Sequence, residues 1–259
     1  MLNEQKKIPV LGVIPARMGS SRFPGKPLKL IHGKPMIWHV WQRCLLSNSL
    51  DDTVIATCDL EIKEASEAFG AKVIMTSDKH TRSNDRVAEV AEKIPCEIIL
   101  NIQGDEPLVN PQLIDDVVNE LKNRNDVQCI NPISELKTLE EIQSPHTVKV
   151  VSNLKGRVLY LSRYAIPSAL INERKYPVYR QVPILGFMSD FCIRIAKLDE
   201  GPLELQESID LLRAVEHDMP LHNLVTEFQT IGVDTPEDMA NVEIAMSNDE
   251  IYKRYHENT

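Results

Sequence analysis

Three cations stand close together near the start of the chain. Arg17, Arg22 and Lys26 punctuate the run Val13-Ile14-Pro15-Ala16-Arg17-Met18-Gly19-Ser20-Ser21-Arg22-Phe23-Pro24-Gly25-Lys26-Pro27-Leu28. Small residues let the backbone come close to a ligand, and guanidinium and ammonium groups around them select a polyanion. The run is not a Walker loop: five residues rather than four separate Gly19 from Gly25-Lys26, and Pro27 stands where that motif needs Ser or Thr. A basic surface loop is the plainer reading, but the place of the cations just after an apolar strand favours phosphate. Two aspartates add a second chemistry. Asp105 lies in Asn101-Ile102-Gln103-Gly104-Asp105-Glu106-Pro107-Leu108, and Asp234 in Gly232-Val233-Asp234-Thr235-Pro236-Glu237-Asp238, each on a turn stiffened by proline. A carboxylate beside a triphosphate is repelled unless a cation bridges the two, and Mg²⁺ does this with one or two carboxylates plus phosphate oxygens. Glu237 and Asp238 need no such role, because acids favour a helix start; Asp234 is not explained that way.

These residues need elements to hold them. Residues 9–14 form an apolar run that predicts a buried strand ending at the cationic loop. Lys34-Pro35-Met36-Ile37 starts a helix to about Leu46, with Pro35 in the first turn, a stripe of Met36, Val40 and Cys44, and Trp38 and Trp41 as packing residues. A strand over 52–57, a helix over 60–69 ended by Gly70 and a strand over 71–75 follow. After a polar turn at 76–84 come a helix over 85–93, a strand over 97–102 and a helix over 111–121. This alternation predicts an α/β fold with a mixed, mostly parallel sheet and helices on both faces. Ligands then sit at the carboxyl ends of the strands, where both the cationic loop and the turn after Ile102 lie.

Beyond about residue 126 the pattern changes. Strands at 127–130, 147–151, 157–161 and 179–187, with a turn at Asn153-Leu154-Lys155-Gly156, read as an antiparallel excursion that also makes a subunit contact. A helix over 204–216, short strands at 221–225 and 230–233, and a last helix capped by Thr235 with Pro236 in its first turn complete the chain. No repeat, linker or low-complexity tract divides the 259 residues, which predicts a single domain over 1–259.

Composition excludes other classes. A net charge of −9 argues against nucleic-acid polymers as partners, so anion binding falls to the local cluster. No apolar run approaches membrane-spanning length and the first residues lack a signal-peptide core, so a cytoplasmic protein is expected, without membrane association. Five scattered cysteines and seven histidines without ligand spacing predict reduced thiols and no zinc site.

The three motifs, in this order and spacing, resemble the 3-deoxy-manno-octulosonate (Kdo) cytidylyltransferases. Gly33-Lys34-Pro35-Met36-Ile37, Val73-Ile74-Met75-Thr76-Ser77, Asp85-Arg86-Val87-Ala88-Glu89-Val90, Val148-Lys149-Val150-Val151, Leu159-Tyr160-Leu161-Ser162-Arg163 and Leu211-Leu212-Arg213-Ala214 extend the likeness over about residues 9–245. The resemblance implies a nucleotide-diphospho-sugar transferase-like (Rossmann-like) fold and a homodimer with an antiparallel dimerisation excursion. Residues of about 9–125 would form a nucleotide-binding half, and those of about 126–250 a sugar-binding and dimerisation half. It further implies Mg²⁺-dependent transfer of CMP from CTP to the anomeric hydroxyl of a 2-keto-3-deoxy sugar acid, with release of pyrophosphate, for surface-glycan or lipopolysaccharide assembly. Arg17, Arg22 and Lys26 would hold the triphosphate, and Asp105 and Asp234 the metal. Ala16, Gly19, Ser20, Ser21, Ser83, Asn84 and Asp105 would complete the nucleotide site; Arg86, Gln103, Gln181, Leu185 and Asp210 would face the sugar. Lys149 and Arg163 add anion contacts, or serve as ordinary salt-bridge residues. The apolar stretches 158–167 and 182–187 are compatible with the dimer.

The chain departs from that pattern in the sugar half. The family commonly has Ser-Gly-Thr where Arg82-Ser83-Asn84 stand, and His-x-Gly-x-Tyr where Gln181-Val182-Pro183-Ile184-Leu185 stand. Its Glu-Gln pair becomes Asp210-Leu211. A site built for a hydroxyl rejects a ligand lacking it, so these changes predict a different acidic acceptor (another nonulosonate, an amino-Kdo or an acidic alcohol) as the alternative. A non-catalytic nucleotide-sugar sensor should have lost a charge at the phosphate or metal positions, and none is lost. A glycosyltransferase of similar fold needs Asp-x-Asp after a sheet strand, and none is so placed.

Overall fold

A computed structural model describes residues 7–19, 22–168 and 176–256. The first strand, β1 (Ile8–Pro15), lies in the middle of a sheet. Val10, Leu11, Val13 and Ile14 are all fully buried, as a continuous apolar run covered on both faces requires. A single 3-10 turn at Lys26–Leu28 leads to a small hairpin, β2 (Leu30–Ile31) with β3 (Lys34–Pro35). Helix α1 (Met36–Leu45) starts after Pro35, which caps it from an extended conformation rather than occupying its first turn. Then come β4 (Asp52–Thr57), α2 (Leu60–Ala68), β5 (Lys72–Met75), α3 (Ser83–Lys93), β6 (Cys96–Ile102) and α4 (Pro111–Asn123). Helix α3 begins two residues earlier than its apolar pattern suggests, and Asn110 caps α4 through its side chain.

The remainder comprises β7 (Cys129–Leu136), α5 (Leu139–Gln143), β8 (Lys149–Ser152), β9 (Val158–Ser162), β10 (Val178–Gln181), β11 (Ile184–Met188) and α6 (Ser189–Ala196). After them come α7 (Pro202–Glu207), α8 (Leu211–Glu216), β12 (His222–Val225), α9 (Pro236–Ser247) and α10 (Glu250–His256). Among the described residues one sheet runs in the order β5-β4-β1-β6-β11-β7-β10-β8-β9, with β12 beside β7. The pairs β5–β4, β4–β1, β1–β6 and β7–β12 are parallel, and the strands from β11 outward join antiparallel. Helices α3, α6 and α8 cover one face, against Leu11, Val13 and Ile99. Helices α1, α2 and α4 cover the other, against Val10, Ile14 and Leu100. A third cluster fixes α9 and α10 to α1 through Trp38, Val242, Met246, Tyr252 and Tyr255. No described helix is long and apolar enough to cross a membrane.

Four sequence expectations need correction. The strand expected at 127–130 starts at Cys129 and runs to Leu136. The strand expected over 179–187 is bent into β10 and β11 at Val182-Pro183, because proline cannot donate to a ladder. Both pieces pair with β7, but Gln181 and Gly186 are five positions apart while their partners Ile133 and Ile130 are three apart. This bulge hands the ribbon from β8 on the outer side to β6 on the inner. The helix expected over 204–216 breaks at Ser208, whose φ of 54° is left-handed. Residues 230–233 form no strand: Thr230 and Val233 use backbone groups on the Arg180 side chain and the Asp105 carbonyl.

Thiol chemistry checks this packing. Cys44, Cys96, Cys129 and Cys192 are buried, and burial pushes each thiol above its ordinary range, whereas Cys58 is half-buried. We expect a colorimetric disulfide reagent to titrate one thiol quickly in the native protein and the other four only after denaturation. More than one fast thiol would contradict the core described here.

Candidate active site

The site gathers at the carboxyl ends of β1, β4, β5 and β6, around a cleft of 380 Å³. Its wall on the β1 side is the cationic loop. Ala16 N–H continues the ladder to the Ala56 carbonyl (2.9 Å), Met18 N–H binds the Asp59 carboxylate (2.8 Å), and Gly25 N–H returns to the Met18 carbonyl (3.1 Å). Gly25 adopts φ 69°, which lets the chain turn into the Lys26–Leu28 helix turn. Ala16, Arg17, Gly19, Arg22 and Lys26 all line the cleft. Ser20 and Ser21, expected at the nucleotide, lie outside the described residues.

Gly104 brings the second wall in. A Cβ there would lie 2.7 Å from the Pro15 carbonyl, so only glycine lets the turn after β6 press against the end of β1. Asp105 is thereby delivered to Lys26. The Lys26 ammonium donates to Asp105 Oδ2 (2.6 Å), the Val233 carbonyl (2.7 Å) and Asp234 Oδ1 (3.2 Å). Arg22 reaches the other oxygen of Asp234 at 3.0 Å. Asp234 is set by the start of α9: Thr235 and Asp238 cap each other, and Asp238 also accepts from the Asp234 N–H. Val233 N–H binds the Asp105 carbonyl (2.9 Å), which ties the two acidic turns together.

The two carboxylates and a carbonyl thus already converge on one cation. An all-oxygen donor set of this kind suits a hard divalent ion, which takes carboxylates and fills its other positions with water or phosphate oxygens. No group of three or more His, Cys, Asp or Glu placed to hold a metal ion occurs among the described residues, and an ion held by two carboxylates and phosphate oxygens needs none.

Glu106, next along, turns inward. It is 5% exposed, and burial first and the Asp105 charge second push its carboxyl up to about 8. Gly232 makes room for it, since a Cβ there would sit 2.6 Å from Glu106 Oε1. Nothing in residue type tells which of the two adjacent acids, Asp105 or Glu106, is buried.

The far end of the cleft is built by the start of α3 and the break between α7 and α8. His80, Thr81, Arg82, Ser83, Arg86, Gln103, Ser208 and Asp210 line it. Arg82 donates to the Ser208 hydroxyl (2.9 Å), and Arg213 ties α8 back through Glu204 (2.8 Å twice) and Asp85 (2.9 Å). Arg86 is 3% exposed, with its guanidinium on the Thr76 hydroxyl and the Cys58 sulfur. No carboxylate pairs with it among the described residues. A buried cation left uncompensated is costly, so a ligand anion is the natural partner.

Several expected residues are elsewhere. Asn84 does not line the cleft; it is buried behind Ser83. Gln181 donates its amide to Asn131 (3.0 Å), and Leu185 is in the core opposite Asn101, on β11. Neither reaches the cleft, because the β10–β11 bend turns this ribbon into the sheet. The stretch 182–187 is interior for the same reason and is not free for a subunit contact. Lys149 spends its three donors on the Ser144, Thr147 and Arg163 carbonyls, and Arg163 is engaged with Glu207 and backbone, so neither offers an anion contact.

A family model described as Cytidylyltransferase matches residues 11–225. The 3-deoxy-manno-octulosonate cytidylyltransferase of Solibacter usitatus is 42% identical over 233 residues, 90% of this chain and 92% of that protein. The protein of the same name from Geobacter metallireducens is 38% identical, covering 90% and 96%. A solved CMP:2-keto-3-deoxy-manno-octonic acid synthetase in complex with CTP superposes with a TM-score of 0.87 at 34% identity, over 93% of this chain and 99% of that one. A 4-diphosphocytidyl-2C-methyl-D-erythritol synthase from Anaerococcus prevotii, at 13% identity and a TM-score of 0.62 over 93% and 96% of the two chains, shares the fold.

Proposed function

This chain belongs to the cytidylyltransferase family, and we propose that it transfers CMP from CTP to the anomeric hydroxyl of 3-deoxy-manno-octulosonate, releasing pyrophosphate. The observation that carries the reading is the convergence of Lys26, Asp105 and Asp234 beside Arg17 and Arg22 in one cleft. In this reading Arg17, Arg22 and Lys26 bind the triphosphate and neutralise charge that builds on the leaving pyrophosphate. Asp105 and Asp234 would hold Mg²⁺, which when bound supplies Lewis-acid neutralisation of the phosphates. Arg86 and Gln103 orient the acid so that its hydroxyl lies in line with the α-phosphate, and no protein nucleophile is required. Ala16, Gly19 and Ser83, which also line the cleft, belong to the nucleotide side.

Arg86 gives a sharp expectation. Replacing it by leucine should raise the KM for the acceptor about a hundredfold while the KM for CTP changes little, the loss of a charge-assisted contact to one substrate. A rise confined to CTP would move Arg86 to the phosphate side.

A second reading keeps the chemistry and changes the acceptor to another 3-deoxy-2-ketulosonic acid. It is favoured by Gln181 being spent on Asn131 and by Leu185 and Leu211 lying in the core. Pyrophosphate release with CTP and a panel of sugar acids separates the two. Turnover with another acid but not with Kdo would overturn the first reading, and no CTP turnover with any acid would overturn both.

We propose a cytoplasmic homodimer. Leu159, Tyr164 and Tyr176 are more than half exposed on the antiparallel half, where a second copy would cover them. Sedimentation equilibrium giving the mass of one chain at micromolar concentration would refute the dimer.

A further inference from the structure

We infer that Asp210, Asn84, Asn101 and Gln103 form one directional hydrogen-bond relay that fixes the Gln103 carbonyl towards the cleft, so that this end selects an acceptor presenting a hydrogen-bond donor. The inference rests on the proposed function in one respect: the ligand at this end is taken to be the acceptor acid.

The direction follows from chemistry at the Asp210 end. Burial raises the Asp210 carboxyl above its ordinary range, but in either protonation state an oxygen that faces an amide nitrogen must accept. Asp210 Oδ2 lies 2.8 Å from Asn84 Nδ2, so the Asn84 amide must point its nitrogen there. Asn84 Oδ1 is then left facing Asn101, whose Nδ2 donates to it at 2.7 Å. Asn101 Oδ1 must in turn accept, and Gln103 Nε2 donates to it at 3.2 Å. The second proton of each amide goes to one atom: Asn101 Nδ2 (3.0 Å) and Gln103 Nε2 (2.9 Å) both donate to Ser83 Oγ. With its nitrogen committed twice, Gln103 has only its carbonyl oxygen left for the cleft it lines. Ser83, accepting twice, turns its own proton elsewhere. An amide flip at Gln103 would set its oxygen against Asn101 Oδ1 and lose that bond, although the Ser83 hydroxyl could still donate to it. A flip at Asn101, which is 0% exposed, would strand donors and acceptors without water to replace their partners.

The end of the cleft therefore has a defined character. Gln103 Oε1 is an acceptor, and the Arg86 guanidinium is the cation. A hydroxylated acid matches both. Asn84 touches none of the ligand; it is a positioning residue, acting between Asp210 and Asn101. Threonine at position 84, the residue common in the family, has a single hydroxyl and a shorter reach than the amide that bridges both neighbours here.

The test is steady-state kinetics with CTP and Kdo on Asn84→Ala, Gln103→Ala and the double variant, with Asn84→Thr as a milder break of the same link. Asn84→Ala should raise the acceptor KM about tenfold, the scale of one lost buried bond, with the CTP KM within about twofold. The double variant should fall short of the product of the singles by about fivefold or more, because Asn84 acts in part through Gln103. In protein labelled with ¹⁵N-glutamine, the Gln103 side-chain amide should lose its protection from solvent exchange in both Asn84 variants, a change that simple destabilisation would not confine to one amide. Multiplicative single effects, an unchanged acceptor KM, or a Gln103 amide equally protected in Asn84→Thr would each overturn the relay. If CTP turnover is normal while the relay fails, the proposed reaction stands; if Kdo is never turned over, that reading fails first.

Discussion

Asp105→Asn is expected to lower kcat by about a thousandfold or more, equivalent to ~4 kcal/mol of transition-state stabilisation, with the fold intact. The side chain is two-thirds buried at the cation point, where it faces Lys26 at 2.6 Å. Asparagine has the same shape and can still accept one bond, so the turn held by Gly104 and by the Asp105 carbonyl on Val233 N–H keeps its geometry. What is lost is one negative charge out of the two that converge there. A divalent ion is held mainly by such charges, and with one gone its affinity should fall steeply. The check is a pyrophosphate-release assay over a range of Mg²⁺, beside circular dichroism and thermal unfolding of the same preparation. A variant with normal turnover and normal Mg²⁺ dependence would remove Asp105 from the metal assignment.

Lys26→Met should be nearly as damaging to turnover, by about a hundredfold to a thousandfold, the range for removing a preorganised charge from a developing anion. It should also act on the free protein, where Asp105 does not. The Lys26 ammonium is 12% exposed and satisfies all three of its N–H groups on Asp105, Asp234 and the Val233 carbonyl. Methionine fills the volume but leaves two carboxylates turned to the same point without a cation between them. Unfolding should therefore occur at a lower temperature than in the wild type, and added Mg²⁺ should recover more of that loss in the variant than it adds to the parent. Mg²⁺ stabilising the two proteins equally would mean that the carboxylates do not share a cation site.

Much of this was legible from residue types. The apolar run at residues 9–14 reads as a buried strand, and β1 (Ile8–Pro15) contains it with one residue more at each end. The cap Thr235-Pro236 fixes the start of α9 because hydroxyl, ring and acid each do a local job there. The cations and aspartates stood out because the chemistry of phosphate and metal demands them. What was not legible depends on register and on burial. The Val182-Pro183 bend is visible as a proline, but its effect, sending Gln181 to Asn131 and Leu185 into the core, depends on which strands lie on either side. The left-handed Ser208 carries no glycine to announce it, since tertiary bonds from Arg82 and Arg163 hold the turn. The alternation at 230–233 mimics a strand, yet those backbone groups are claimed by Arg180 and Asp105. Asn101 was read as a strand residue; it is the hinge of a polar network because its side chain, fully buried, must find partners.

The bonds that complete the cation point join residues very far apart in the chain: Lys26 to Asp234 spans 208 positions and Lys26 to the Val233 carbonyl 207. Contacts of such separation form only after the intervening chain has been gathered, and topologies that rely on them fold slowly. Strand β1, which leads into the cationic loop, pairs with β4 and β6, and all three lie before residue 103, so those pairings close much shorter loops. The cationic loop is therefore placed by its own sheet neighbours, whereas Asp234 reaches it only once α9 has docked. Closure of the Lys26–Asp234 pair is thus expected among the late steps of folding, after the sheet that carries the loop has formed.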